Sequence, residues 1–251
     1  TLAVEDYLID LGFFSLSDLR NMVEKNDYSN FGNSAIREAI KQAIRQFELT
    51  HQAELIDYVL DATIYELSLT TVREYRNTFL ERLFQLEIDT INLKTLVRFM
   101  VIRKDKRYLK DVLIHGGNLP YEFFLRAIIE NEKVVRQKIH QERYRNIVVY
   151  EENIGAKERR LPFLENYEKI IIAGINYWEK NCSFSYLEKL IDDHLMQHLK
   201  RAKYISLGIE PLIAYLLAKE TEIKNIRTII VGKLNRLPEE TIRERLREPY
   251  V

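Results

Sequence analysis

Two histidines one helical turn apart, His194 and His198 in the run DDHLMQH, are spaced for metal chemistry. An i,i+4 pair shares a helix face and can take Zn²⁺ when a third ligand arrives from elsewhere. Leu195 and Met196 stand where the glutamate base of an HExxH helix would be sought, so that chemistry lacks its proton acceptor. A histidine pair held in or near a core is the commoner arrangement, and no metal is expected. A second constellation recurs: Glu87, Asn92 and Lys94 in one place, Glu220, Asn225 and Arg227 in another. A carboxylate and an amide on one helix can serve acid–base or metal chemistry. Five residues apart, however, they lie about 140° apart around a helix. The expected role is structural, with each Glu paired to the base seven residues on or to a facing helix. Each Asn would bond a neighbouring helix end. Cys182 is the single cysteine, which leaves no internal disulfide and no thiolate cage. A Gly-rich phosphate loop is absent from the sequence, and no catalytic residue, cofactor or small-molecule substrate is expected.

Helices must position these residues. The 251 residues contain only 8 Gly and 5 Pro, and 38 Lys and Arg balance 38 Asp and Glu. Few chain breakers among so many Leu, Ile, Glu, Lys and Arg argue for an all-α protein. Zero net charge argues against a partner held by phosphate neutralisation, nucleic acid above all. Residues 131–160 carry 8 Lys and Arg against 5 Glu, with Tyr144 and Tyr150 among them, and read as a solvated helix face followed by a loop. No apolar run approaches the roughly 20 residues that cross a bilayer.

The longest helical pattern is Glu210–Leu246. Pro211 suits a first turn. Leu212, Leu216, Ile223, Ile226, Ile230 and Leu234 then recur at threes and fours, which predicts one apolar stripe facing a core. Pro238 opens a second helix with Glu239 and Glu240 at its positive end, completing a hairpin. Upstream, Ser15 or Ser17 and Asn33 or Ser34 are candidate caps. His51 to Leu69 reads as a helix, and Val72 to about Arg103 as one continuous helix with Phe79, Leu83, Leu86, Leu93, Leu96 and Met100 spaced for burial. His115-Gly-Gly-Asn118 is the clearest interior boundary.

Glu87–Leu96 and Glu220–Ile229 match in acid, acid, Asn, aliphatic, base, Thr and aliphatic at one constant offset. The offset continues from Leu109 and Asp111 onto Ile242 and Glu244, and Leu55-Ile-Asp57 falls near Leu190-Ile-Asp192. This internal repeat predicts two helical units, 1–117 (with residues 1–14 as the remnant of a preceding unit) and 118–251, related by a rotation.

GIEPLIAYLLAKETEIKNIRTIIVGKL with LPEETIRERL, LPYEFFLRAI at 119–128 and LIDDHLMQHLKRAKY at 190–204 together resemble the C subunit of archaeal and bacterial V/A-type rotary ATPases, the family of the eukaryotic V-ATPase d subunit. The resemblance implies a non-catalytic, funnel-like protein of three similar helical repeats. It implies a central-stalk rotor part that joins the shaft subunits to the membrane rotor ring and carries torque for ion transport and ATP synthesis. It also implies a peripheral place at the cytoplasmic face of the membrane. Two repeats are recognisable here, and Thr1 in place of Met suggests a trimmed start. A generic helical scaffold for another protein, and an enzyme built on the histidine pair, are the competing readings.

Overall fold

The computed structural model describes residues 12–102, 109–120 and 180–251, together with Phe124, Tyr167, Ile170, 173, 174 and 176–178. The run at 131–160 and most of the segment at 119–128 therefore lie outside the described residues, as do residues 1–11 of the expected remnant. Every regular element among the described residues is helical: α1 (Leu16–Lys25), α2 (Ser34–Thr50), α3 (Glu54–Glu74), α4 (Thr78–Ile102), α5 (Leu109–Val112), α6 (Ser185–Leu199), a 3-10 turn (Lys200–Tyr204), α7 (Glu210–Leu234) and α8 (Glu239–Arg245). None of these helices is long and apolar enough to cross a membrane.

The chain forms two compact units, Thr1–Ile64 and Tyr65–Val251, so the division falls within α3. The Gly116–Gly117 boundary read from the sequence lies inside the second unit. In the first unit, Ser15 Oγ accepts from Asp18 N at 3.1 Å and caps α1. Asn33 Oδ1 accepts from Ala35 N at 2.8 Å and caps α2. These side chains satisfy N–H groups that the first helical turn leaves without partners. Both helices end on left-handed residues, Asn26 and His51.

The second unit is organised around α4. The long helix expected from Val72 to Arg103 is interrupted. Arg76 turns left-handed at φ 53°, and Asn77 restarts the chain by accepting from Leu80 N at 2.9 Å. Helix-compatible residues on both sides hid this cap, because an Asn-Thr pair is a start signal only when the preceding turn closes. Beyond it, α4 is enclosed nearly all round. Leu83, Leu86, Ile88, Leu93, Leu96 and Val97 are buried, and so are Asp89, Thr90, Asn92 and Thr95. A helix covered on nearly every side belongs in the middle of a fold. Its N-terminal half joins Met196, Leu199 and Ala202 from α6 and the 3-10 turn, and Ala214 and Ala218 from α7.

The stripe on α7 is corrected by the structure. Leu212, Leu216, Ile223, Ile226, Ile230 and Leu234 are 59%, 54%, 58%, 55%, 52% and 77% exposed, whereas Ala214, Ala218, Thr221 and Gly232 are buried. Small residues line the covered face because they let the α7 backbone come close to its neighbours. A Cβ on Gly232 would stand 2.7 Å from Ile242 of α8, inside any tolerable contact. Periodicity established that the six large residues share a face but not that this face is inward.

Candidate functional site

The repeated polar residues sit on α4 and α7, and the two asparagines make the same contact. Asn92 Nδ2 donates to Ile114 O at 2.7 Å while Ile114 N donates to Asn92 Oδ1 at 2.9 Å. Asn225 Nδ2 donates to Arg247 O at 3.0 Å while Arg247 N donates to Asn225 Oδ1 at 2.8 Å. Each amide closes a two-bond clamp on the backbone 22 residues further on. In both cases it grips the chain just after a short helix, α5 or α8. An unpaired buried backbone group costs about 1–3 kcal/mol. Asn92→Ala is therefore expected to lower the unfolding free energy by about 2–3 kcal/mol. Asn225→Ala is expected to lower it by about 1 kcal/mol, because water reaches its half-buried clamp. Urea denaturation of the two variants side by side measures the difference, and equal losses would refute it.

The carboxylates behave differently in the two places. Glu87 is poorly solvated on α4, and burial raises its pKa to about 7 against a hydrogen bond from Tyr65; Glu220 raises it further. Glu220 itself is exposed on α7, as is Arg227. Burial also lowers the Lys94 pKa, opposed by the nearby Asp192 and Glu188. The expected pairing of each Glu with the base seven residues on is not seen: neither Glu87 with Lys94 nor Glu220 with Arg227 is among the ion pairs of the described residues. Equivalent positions face each other instead. Asn77 Nδ2 donates to Glu210 Oε1 at 2.9 Å across a separation of 133 residues, tying the start of α4 to the start of α7. Further along both helices, Glu87 and Glu220 still sense one another's charge.

Asp89 is the polar centre that the sequence reading passed over. It is fully buried. Its Oδ1 accepts from Leu119 N at 3.0 Å, and its Oδ2 accepts from Asn118 Nδ2 and from the Tyr167 hydroxyl, each at 2.9 Å. Arg82 donates to Asn118 Oδ1 from the other side. Burial raises the Asp89 pKa while these donors oppose the shift. The turn it holds runs through Gly116 at φ +103°, and Gly117 lies so close that a Cβ there would collide with Asp89 Oδ1. Asp89 was visible in sequence only as one member of the repeated acid pair. Its counterpart Glu222 is an exposed residue bonded to Lys219.

The histidine pair is absorbed by packing. His198 Nε2 shares a hydrogen bond with Phe79 O at 3.1 Å, and its ring stacks on Phe79 with centroids 4.5 Å apart. His194 lies edge-on to Tyr167 at 5.3 Å. Burial lowers both pKa values, with Arg82 and Arg201 adding to the effect. Among the described residues no three His, Cys, Asp or Glu side chains gather as metal ligands.

The class that the structure defines is an all-helical protein, with one apolar helix face left outward among the described residues. The profile of the ATP synthase (C/AC39) subunit family matches residues 2–245, and the chain belongs to that family. It is 26% identical over 163 residues to the C subunit of the V-type sodium ATPase of Enterococcus hirae, covering 65% of this chain and 42% of that protein. It is 24% identical over 246 residues to the C subunit of the A-type ATP synthase of Methanococcoides burtonii, covering 97% of this chain and 62% of that one. A shorter match to the C subunit of the A-type ATP synthase of Methanocaldococcus jannaschii reaches 32% over 95 residues, 37% of this chain and 24% of the relative. The chain spans less than two-thirds of the length of these relatives. No solved structure is significantly similar to it.

Proposed function

We propose that this chain acts as a non-catalytic adaptor in the rotor of a V/A-type ATPase, joining the central shaft to the membrane ring at the cytoplasmic face and carrying torque between them. Membership of the C/AC39 family supports the assembly, and the outward stripe of α7 is the observation that supports an adaptor within it. The stripe has a covered counterpart. Leu83, Thr90, Leu93 and Val97 of α4 stand 133 residues before Leu216, Ile223, Ile226 and Ile230, and all four are buried. Leu83 packs on Met196, Leu199 and Ala202. The occupant assigned to the α7 stripe is accordingly a further helical module of the same kind, presenting an α6-like helix and 3-10 turn. The two units at 1–117 and 118–251 are read as successive copies of that module. Close-packed helices suit torque, since such interiors barely compress.

The adaptor itself is expected to hydrolyse no ATP. Its grip on a polar shaft tip should depend on charge complementarity and weaken as salt screens it, whereas an apolar contact with the ring should not. Co-purification with isolated shaft subunits at low and high salt, and separately with the detergent-solubilised ring, measures both. Binding to neither by a folded sample would leave a generic helical scaffold in place of the rotor reading.

A further inference from the structure

A cavity of about 290 Å³ lies where α6, α7, α8 and the chain after α8 meet, lined by Ser185, Arg227, Thr228, Val231, Gly232, Leu237, Ile242, Arg245 and Arg247. Three arginines, a serine and a threonine line it beside Val231, Leu237 and Ile242, and no carboxylate residue lines it among the described residues. The arginines are not in equal positions. Arg247 is committed, its Nε donating to Asp192 Oδ2 at 2.5 Å. Arg245 makes no ion pair among the described residues, and its Nε is shut away from solvent with no acceptor. A buried donor without an acceptor is unfavourable, because it has given up water without gaining a partner. Arg227 is exposed at the rim. Among the described residues, therefore, two of the three arginines that line the cavity are in no ion pair.

The walls are held in place by features already described. The Asn225 clamp fixes the backbone of Arg247, Asp192 fixes its side chain, and Glu248 N donates to Asp193 Oδ1 at 2.6 Å. Gly232 lets α8 close onto α7 at Ile242. The earlier copy supplies an internal contrast. Positions 133 residues before Gly232, Arg245 and Arg247 are Phe99, Val112 and Ile114, which are 6%, 3% and 3% exposed. Where one copy fills its interior with an aromatic and two aliphatic side chains, the other surrounds a cavity with arginines. Packing alone gives no reason for that exchange.

We infer that this cavity binds a phosphate group in its doubly charged form, with Arg227 and Arg245 as the compensating cations and Ser185 as a hydroxyl donor, the Thr228 hydroxyl being committed to Lys224 O. Guanidinium forks match the geometry of phosphate oxygens, and two cations in no ion pair match a dianion better than a single carboxylate. The inference is independent of the rotor reading, and it goes beyond the sequence expectation, which held no cofactor and no small-molecule substrate.

Soluble phosphates and anionic lipid headgroups offer the same chemistry, so the test has two arms. Titration calorimetry with inorganic pyrophosphate, at constant ionic strength and with acetate as the singly charged control, is run on the full chain and on Arg245→Gln and Arg227→Gln. Flotation with phosphatidylcholine vesicles, with and without phosphatidate, is run on the same three proteins. Saturable binding in either arm that falls about tenfold or more in both variants supports the site and names the source. Arg227 is exposed and in no ion pair among the described residues, so its variant decides the question even where Arg245→Gln fails to fold. No saturable binding in either arm, equal binding by acetate, or binding that Arg227→Gln leaves unchanged would overturn it.

Discussion

Asp89→Ala is expected to lower the unfolding free energy by about 3–5 kcal/mol. The substitution leaves Leu119 N, the Asn118 amide and the Tyr167 hydroxyl facing a cavity that the carboxylate had filled. Arg82, which reaches Asn118, loses the far end of its network as well. Asp89→Asn retains the volume but turns a donor toward donors, so it should recover only part of the loss. Glu222→Ala, at the matching place on α7, removes an exposed contact with Lys219 that solvent screens, so its loss should be small. Urea denaturation of the three variants measures the contrast. Similar small losses for Asp89→Ala and Glu222→Ala would show that the network is dispensable.

Glu87→Gln is expected to stabilise the protein, and only at neutral to alkaline pH. Burial lifts the Glu87 pKa from 4.5 to about 7, with Tyr65, Glu220, Lys224 and Lys94 as the charged and polar neighbours on α3, α7 and α4. The folded state therefore favours the protonated acid. That contribution is complete below the unfolded value of 4.5 and is lost as pH rises through about 7. Above it the wild type carries the cost of a poorly solvated carboxylate. At about 1.4 kcal/mol per pH unit, and allowing for partial exposure, the cost is about 2–3 kcal/mol. Glutamine keeps an acceptor for Tyr65 and has no proton to lose. Unfolding at pH 4 and pH 8 should show the two proteins nearly equal at the first and the variant more stable at the second. A gain of the same size at both would trace the effect to packing.

Much of this was legible because helical periodicity and repetition are properties of spacing. The all-α class, the hairpin at Glu210–Leu246, the caps at Ser15 and Asn33, and the correspondence of Asn92 with Asn225 all follow from residue types at fixed intervals. Interval alone could not say that each Asn grips backbone 22 residues away, because the partner is a main-chain group with no side-chain signature. The same limit hid the cavity arginines. Arg227, Arg245 and Arg247 are scattered along a sequence rich in Lys and Arg, and only the folding of α8 back onto α7 gathers them.

The sequence by itself determined which residues share a helix face. Tertiary structure decided which faces are covered. Leu83, Leu93 and Val97 and their counterparts Leu216, Ile226 and Ile230 carry nearly the same pattern, yet the first three are buried and the last three stand half exposed. The difference is a neighbour: α6 and the 3-10 turn pack against the α4 side, while the described residues present α7 with its small residues inward and its large ones outward. An apolar stripe records a preference for leaving water. Whether it does so within its own chain depends on what the fold places beside it.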